Sequence, residues 1–341
     1  MAESSPSKRK VTIYDVADKA MVAISTVSRV LNNASDVSEE MRERVMKVVD
    51  ELQYRPSRAA RTLAQQRVPT IALAIPNFTL PVHNELLKGI RDHLTGKNVD
   101  VLICDLGAED PEGALIAYLK RGTVDGLLVA AVPITDELEL QLRSSSRPVV
   151  CVGDTSASLD SYDWDHAAGA RLAVRHLVSQ GCSRIALIAG AETHPRSNLG
   201  VTAYHEALAE AELAVDARLV VRAATIDGLT EEDGFAAMRQ LLDQTAAPDA
   251  VFALSDAMVV GARRALLEAG HKIPDEVKVV GYNDLKISRF LGLSSVDMNI
   301  QEMGHQATEL LLRRMEGSYT ELPVSVRITP QVRPRMSSGG A

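Results

Sequence analysis

Two hydrophobic periods divide this chain. Over residues 11–52 apolar positions recur at three- and four-residue spacing, whereas from Pro69 short apolar runs alternate with amphipathic stretches. In the first region Ile13, Val16, Ala17 and Ala20 form one stripe behind a Thr12-x-x-Asp15 capping box. After Met21-Val22-Ala23 a second helix turns Val27, Val30 and Leu31 inward and presents Ile24, Ser25, Ser28, Arg29 and Asn32 outward. A third begins at an N-cap Ser38, with Glu39 and Glu40 in its first turn and Met41, Val45, Val48, Val49 and Leu52 inward. Helices this short bury one small core and leave one polar helix facing out. That is the pattern of a helix-turn-helix DNA reader.

Beyond Pro69, the runs TIALAIP, VDVLIC, DGLLVA and PVVCV suit strands buried on both faces, separated by helices near 82–96, 110–121 and 135–143. A second series follows: RIALIAG, a run near Leu219-Val221, AVFAL and VKVVG, with helices near 167–180, 200–212, 232–245 and 257–269. Strand–helix alternation predicts parallel sheets with right-handed crossovers, here in two lobes, and a ligand cleft beyond the carboxyl ends of the strands. A helix near 301–316 and a strand over Val324–Thr329 should cross back between the lobes. The expected organisation is a disordered tail (1–10), a helix-turn-helix domain (11–55), a short helix and linker (56–68), a two-lobed body (69–335) and a disordered tail (336–341). The final MSSGGA carries no heptads, so no helical tetramerisation tail is expected.

Charge sharpens this division. Up to Val68 there are twelve Lys or Arg against nine Asp or Glu, and thereafter twenty-five against thirty-six, so the overall −8 hides a basic head on an acidic body. A local positive field suits phosphate contact, and an acidic body is repelled from a duplex. Between them, Pro56 disfavours helix at Arg55 and Ser57 can restart one; Ser57–Ala64 is too short to stand alone and should fold only when held, as against DNA. Arg58 and Arg61 can meet phosphates there, and Ala60 and Leu63 share one face.

Other classes are disfavoured. No run of about 18 uncharged apolar residues occurs, which argues against a membrane span, and the polar first ten residues do not form a signal peptide. Cys104 and Cys151 lie in strand-like runs and Cys182 follows Gly181; no metal spacing appears, and scattered thiols fit a reducing cytoplasm. There is no Walker loop, no G-x-S-x-G and no metal-spaced His or Cys set, so neither an enzyme nor a cofactor is expected. A solute-binding protein would leave the basic head without a purpose.

The head segments VTIYDVA, STVSRVLN and ELQYRPSRAARTLA resemble the signature of the LacI/GalR (lactose-repressor) family of bacterial transcription regulators. In the body, GARLAVRHLVSQGCSRIALIAG and SDAMVVGARRALLEAGHKIPDEVKVVGYNDL extend the resemblance to about Arg333. It implies an all-α helix-turn-helix head plus an α/β two-lobed, periplasmic-binding-protein-like body. It further implies a homodimeric repressor that reads a pseudo-palindromic double-stranded operator under allosteric control by a small effector, with a sugar or sugar derivative as the family default. By position, Ile24, Ser25 and Arg29 face the major groove, and Thr12, Tyr14, Thr26, Ser28, Asn32, Ser57, Arg58, Ala60 and Arg61 complete the DNA-contacting set. Leu63 sits where the family inserts a minor-groove wedge, which kinks DNA and couples hinge folding to operator. The chain departs from the family where Met21 replaces the usual turn Gly and Ala23 the usual Ser.

The effector pocket departs further. Where sugar-binding relatives often carry Arg, this chain has Gly200, three residues before Ala203-Tyr204; Asn283 replaces an Asp, Ser255-Asp256 replaces Asn-Asp, and Leu80-Pro81-Val82-His83 replaces an aromatic pair. The pocket candidates are Asn77, His83, Asp154, Trp164, Arg196, Ser255, Asp256 and Asn283. Trp164 could be hinge core or a stacking surface, Asp256 a helix cap or a ligand contact, and His83 reads as a helix-surface residue. Asn283 is the strongest candidate, since a strand-end loop has little structural need for an amide. A degenerate pocket is the alternative, and the sign of control, inducer or corepressor, is open.

Overall fold

The computed structural model describes residues 13–31, 37–52, 68–107, 109–121, 124–145, 147–192, 195–223, 229–244, 247–319 and 321–340. The chain forms two compact units, Met1–Pro69 and Thr70–Ala341.

In the first unit, α1 (Ile13–Ala20), α2 (Ile24–Leu31) and α3 (Glu39–Glu51) enclose Val16, Ala17, Ala20, Val27, Val30, Val45, Val48 and Val49. Met41 and Leu52 pack against this core half-buried. The α1–α2 turn closes as a Schellman motif, with Val22 N–H donating to Ala17 O (3.1 Å) and Met21 N–H to Asp18 O (3.2 Å). That geometry puts Met21 at φ +51°, a region glycine occupies without strain. Ala23 starts α2 through its carbonyl alone, accepting from Thr26 N (2.9 Å) and Val27 N (3.2 Å). Ser38 caps α3, its hydroxyl accepting from Met41 N at 3.4 Å. The expected capping box falls outside the described residues at Thr12, as does the Leu31 side chain.

The second unit holds two six-stranded sheets. In lobe 1 the order is β11 (Ser325–Ile328), β5 (Asp160–Trp164), β4 (Val149–Val152), β3 (Gly126–Ala130), β1 (Thr70–Ile75), β2 (Asp100–Asp105), parallel throughout. In lobe 2 it is β12 (Gln331–Arg333), β10 (Ser294–Asp297), β9 (Lys278–Tyr282), β8 (Ala250–Ala253), β6 (Ile185–Ala189), β7 (Val220–Arg222). This sheet is parallel as expected except at its edge, where β12 runs antiparallel to β10. The chain passes between lobes after Trp164, after Asp297 and between β11 and β12.

Strands β5 (DSYDW) and β10 (SSVD) escape the apolar-run reading because their buried groups are polar and hydrogen-bonded. Asp160 receives both arms of Arg314 at 2.8 Å and Val324 N–H at 2.9 Å. Ser294 and Ser295 are fully buried, each bonded. The C-terminus is also corrected. Rather than a free tail, Met336–Ser338 form a turn whose Ser337 donates to Val279 O (2.7 Å) and whose Ser338 meets Ser294 Oγ (2.6 Å) and His176 Nε2 (2.7 Å). Burying these hydroxyls is tolerable only because each is paired.

Candidate DNA-reading face and effector cleft

Because Val27 and Val30 point into the head core, α2 must turn its opposite side to solvent. Ile24, Ser25 and Arg29 are exposed there and Thr26 is half-buried; Tyr14 on α1 is also exposed. An apolar side chain, a hydroxyl and a guanidinium can respectively meet a thymine methyl, a base edge, and a guanine or phosphate. Thr12, Asn32, Ser57, Arg58, Ala60, Arg61, Leu63 and the side chain of Ser28 lie outside the described residues.

The second unit contains a cleft of about 440 Å³ between its lobes. Its walls follow from the sheet topology: Pro76 and Asn77 after β1, Ala130 and Ala131 at the end of β3, Gly153 and Asp154 after β4, and Asp163 and Trp164 at the end of β5. Lobe 2 adds Ser197, Leu199 and Gly200 from the Pro195–Glu210 helix, Leu254 after β8, Tyr282 at the end of β9 and Asn283 after it. Strand carboxyl ends thus face the cleft from both sides, as open α/β sheets dictate.

Asn77, His83, Asp154, Trp164 and Asn283 all line this space. The Asn77 carboxamide oxygen accepts from Thr79 N (2.9 Å) and Thr79 Oγ1 (2.6 Å), so the amide braces its own loop. His83 is buried, not a helix-surface residue, because Pro81 starts the helix beside the cleft and the ring folds back onto the Asn77 carbonyl. A carbonyl can only accept, so Nδ1 carries a proton. Asp154 accepts from Ile134 N and Thr155 N, both at 2.8 Å, which ties the loops after β3 and β4 together.

Trp164 is buried at the first interlobe crossover. It lines the cleft, and its buried Nε1–H donates to Met298 O at 2.8 Å, joining the first interlobe crossover to the second. Its neighbour His166 stacks on Tyr282 with ring centroids 6.2 Å apart. Burial holds the Tyr282 phenol well above its ordinary pKa, so it stays a neutral hydroxyl, and it donates to the His166 carbonyl at 3.3 Å. Asn283 sits at φ +95° and Asp284 at +49°, with the Asn283 N–H donating to Val296 O at 2.8 Å. Consecutive non-glycine residues in the left-handed region at a cleft wall are held by their surroundings, an arrangement typical of ligand sites.

Two candidates are engaged elsewhere. Ser255 caps the Asp256–Glu268 helix, accepting from Ala257 N (3.2 Å) and donating to Leu229 O (3.2 Å). Asp256, which was open as cap or ligand contact, is neither. It is fully buried behind the cleft wall, accepting from Leu285 N (2.6 Å) and Ser295 Oγ (2.7 Å). The Arg196 side chain lies outside the described residues. Gly200 does face the cleft, but a Cβ there would lie 2.8 Å from a Leu254 methyl, so the wall is apolar at this position. Sequence reasoning missed Leu254, His166, Tyr282, Met298 and Asp163; the available signal was their place just after, or at the end of, a strand. Among the described residues, the one group of His, Cys, Asp and Glu close enough to share a metal ion is His93, His305 and Glu309, and none of the three lines the cleft.

A helix-turn-helix head and a two-lobed body with an interlobe cleft define the class of ligand-responsive DNA-binding regulators. The family model "Bacterial regulatory proteins, lacI family" matches residues 12–57, and "Periplasmic binding protein-like domain" matches residues 174–338. The HTH-type transcriptional regulator CelR of Thermobifida fusca is 33% identical over 325 residues, covering 92% of this chain and 94% of that one. The ribose operon repressor of Haemophilus influenzae is 31% identical over 310 residues, covering 89% and 92%. Among solved structures, a CelR–cellobiose complex aligns with TM-score 0.69 at 31% identity, covering 96% of this chain and all of that one. A lac repressor dimer bound to operator and the anti-inducer ONPF aligns with TM-score 0.72 at 26% identity, covering 97% and 99%. The chain belongs to the LacI family and is a DNA-binding transcriptional regulator of that type. No helix among the described residues is long and apolar enough to cross a membrane.

Proposed function

We propose that this regulator is a homodimeric repressor of a pseudo-palindromic operator, and that a small carbohydrate bound in the interlobe cleft sets its operator affinity. The observation that carries this reading is the cleft wall itself. Asp154, Asp163 and Trp164 come from lobe 1 and Ser197, Tyr282 and Asn283 from lobe 2, so a ligand touching both favours one lobe arrangement over another. Carboxylates, an amide and hydroxyls can share hydroxyl hydrogen bonds, while Trp164 and Leu254 offer apolar surface to a sugar's C–H face. Similar regulators support the class: one structure is a complex with cellobiose, another holds bound ribose. With Gly200 and Leu254 in place of a charged clamp, the site favours a ligand with an apolar face, such as a disaccharide or a glycoside.

Control then follows from linkage. An effector that binds one lobe arrangement better shifts the dimer toward it and changes operator affinity by the same coupling factor. In the head, Ile24, Ser25 and Arg29 read the major groove, and the Ser57–Leu63 segment supplies the phosphate contacts and the minor-groove wedge.

The test is thermal unfolding of the full chain against mono- and disaccharides, including cellobiose and ribose, followed by operator titration with and without each hit. A ligand at 100-fold its dissociation constant stabilises the body by about 2.7 kcal/mol. The expected result is a shifted midpoint that Asn283→Ala abolishes while operator binding survives, and the sign of the operator effect separates inducer from corepressor. Operator binding that no saccharide alters would overturn the effector reading. Operator affinity that stays flat with salt would overturn the DNA reading.

A further inference from the structure

We propose that His93, His305 and Glu309 form a site for a zinc-class divalent transition metal on lobe 1, separate from the effector cleft. The site is built by the packing of the Pro81–Leu94 helix on the Ile300–Met315 helix. A Cβ on Gly89 would fall 1.9 Å from the Gln301 carbonyl oxygen, and one on Gly304 would fall 2.5 Å from that of Leu86. Only glycine lets the two backbones come this close. One helical turn beyond the Gly89–Gln301 contact, at residues 93 and 305, the side chains that meet are two imidazoles.

Their geometry suits a shared ion. His93 Nδ1 lies 3.2 Å from His305 Nε2, with ring centroids 4.5 Å apart and planes at 89°. Two imidazole nitrogens bound tetrahedrally at zinc distances of about 2.0–2.1 Å stand roughly 3.3–3.4 Å apart, close to the separation seen here. Glu309 follows His305 by one turn, the i, i+4 spacing that puts two ligands on one helix face. The ligand atoms of all three residues lie within 4.8 Å of one another. Two imidazoles and a carboxylate leave a fourth position for water, and the half-buried rings beside an exposed Glu309 leave a route in from solvent. One group competes: Lys97 Nζ contacts His93 Nε2. That lysine is exposed on a flexible stem just past the helix end, so it can leave when a cation arrives, and it weakens the site without blocking it. The alternative is a plain imidazole–imidazole hydrogen bond, which needs no metal.

The test titrates zinc into the full chain, tag-free and stripped with chelator, in competition with a chromophoric zinc indicator. The expected result is one zinc per chain, with affinity lowered at least about tenfold by His93→Gln or His305→Gln, less by Glu309→Gln, and raised by Lys97→Met. Zinc should raise the melting midpoint of the parent chain but not of the histidine variants, and magnesium should do neither, since imidazole ligands suit the softer ions. Should a histidine variant fail to fold, the exposed Glu309→Gln variant still reports. Zinc affinity unchanged in any folded variant of the three ligands would assign the metal to other donors and overturn the proposal. So would a parent chain that binds no zinc.

Discussion

Trp164→Phe tests whether the interlobe crossovers are tied together as described. The indole is 9% exposed, and its Nε1–H donates to Met298 O at 2.8 Å across a sequence separation of 134 residues. Phenylalanine cannot donate, so the Met298 carbonyl becomes a buried unpaired acceptor, at a cost of about 1–3 kcal/mol. The smaller ring also leaves part of the indole volume empty, adding roughly 1 kcal/mol. A total of about 3 kcal/mol on a body of this size lowers its melting midpoint by about 6–12 °C. Calorimetry of the full chain reads this directly. Trp164 is also the chain's one tryptophan, so its fluorescence reports the cleft without labels. Emission should be that of a buried indole and should change when a saccharide binds. A Trp164→Phe midpoint within about 1 °C of the parent would refute the hydrogen-bonded tie.

Three further outcomes are expected. Met21→Gly should stabilise the head by about 0.5–1 kcal/mol, because removing the left-handed strain at φ +51° outweighs the greater chain entropy of glycine; hydrogen exchange of the α1 amides measures it, and faster exchange would contradict it. Arg314→Met should destabilise the body by about 3–5 kcal/mol in urea unfolding, since Asp160 is left as a buried charge, and adding Asp160→Asn should restore part of the loss. Burial raises the Asp256 carboxyl to about 7 despite donors from Ser295 and Leu285 that favour its ionised form. The native state therefore holds a proton that the unfolded chain releases near its ordinary value of 3.8, so this group's contribution to stability should fall as pH rises from about 4 through 7. Asp256→Asn should flatten unfolding profiles over that range; an unchanged slope would show that Asp256 is ionised throughout.

The parts of this protein that could be read from its residues are those whose cause is local. The α2 face is legible because Val27 and Val30 must point inward, which leaves Ile24, Ser25 and Arg29 outside. Most strands of both sheets are legible because a strand covered on both faces must be apolar along its length. The three interlobe crossings obey no such rule. Strands β5 and β10 bury Asp160, Ser294 and Ser295, whose partners Arg314, Arg335 and Asp256 lie far away in sequence. Likewise, nothing near His83 indicates that a proline-started helix turns its ring inward, and nothing near Ser337 indicates a place beneath β9.

For the cleft, the sequence by itself determined which loops would line it, since strand carboxyl ends and their following turns follow from strand–helix alternation. It also determined the basic head, the reading helix and the family. Only the tertiary structure decided which polar residues line the cleft: Asn283 and Trp164 do, while Ser255 and Asp256 turn away to hold a helix start and the β10 strand. Only it could bring His93 against His305, 212 residues apart, at a contact that Gly89 and Gly304 permit. The physical reason is common to both. Apolar periodicity is imposed by burial along a single element, whereas a buried polar or metal-binding side chain is admitted by its partner, and that partner comes from another part of the chain.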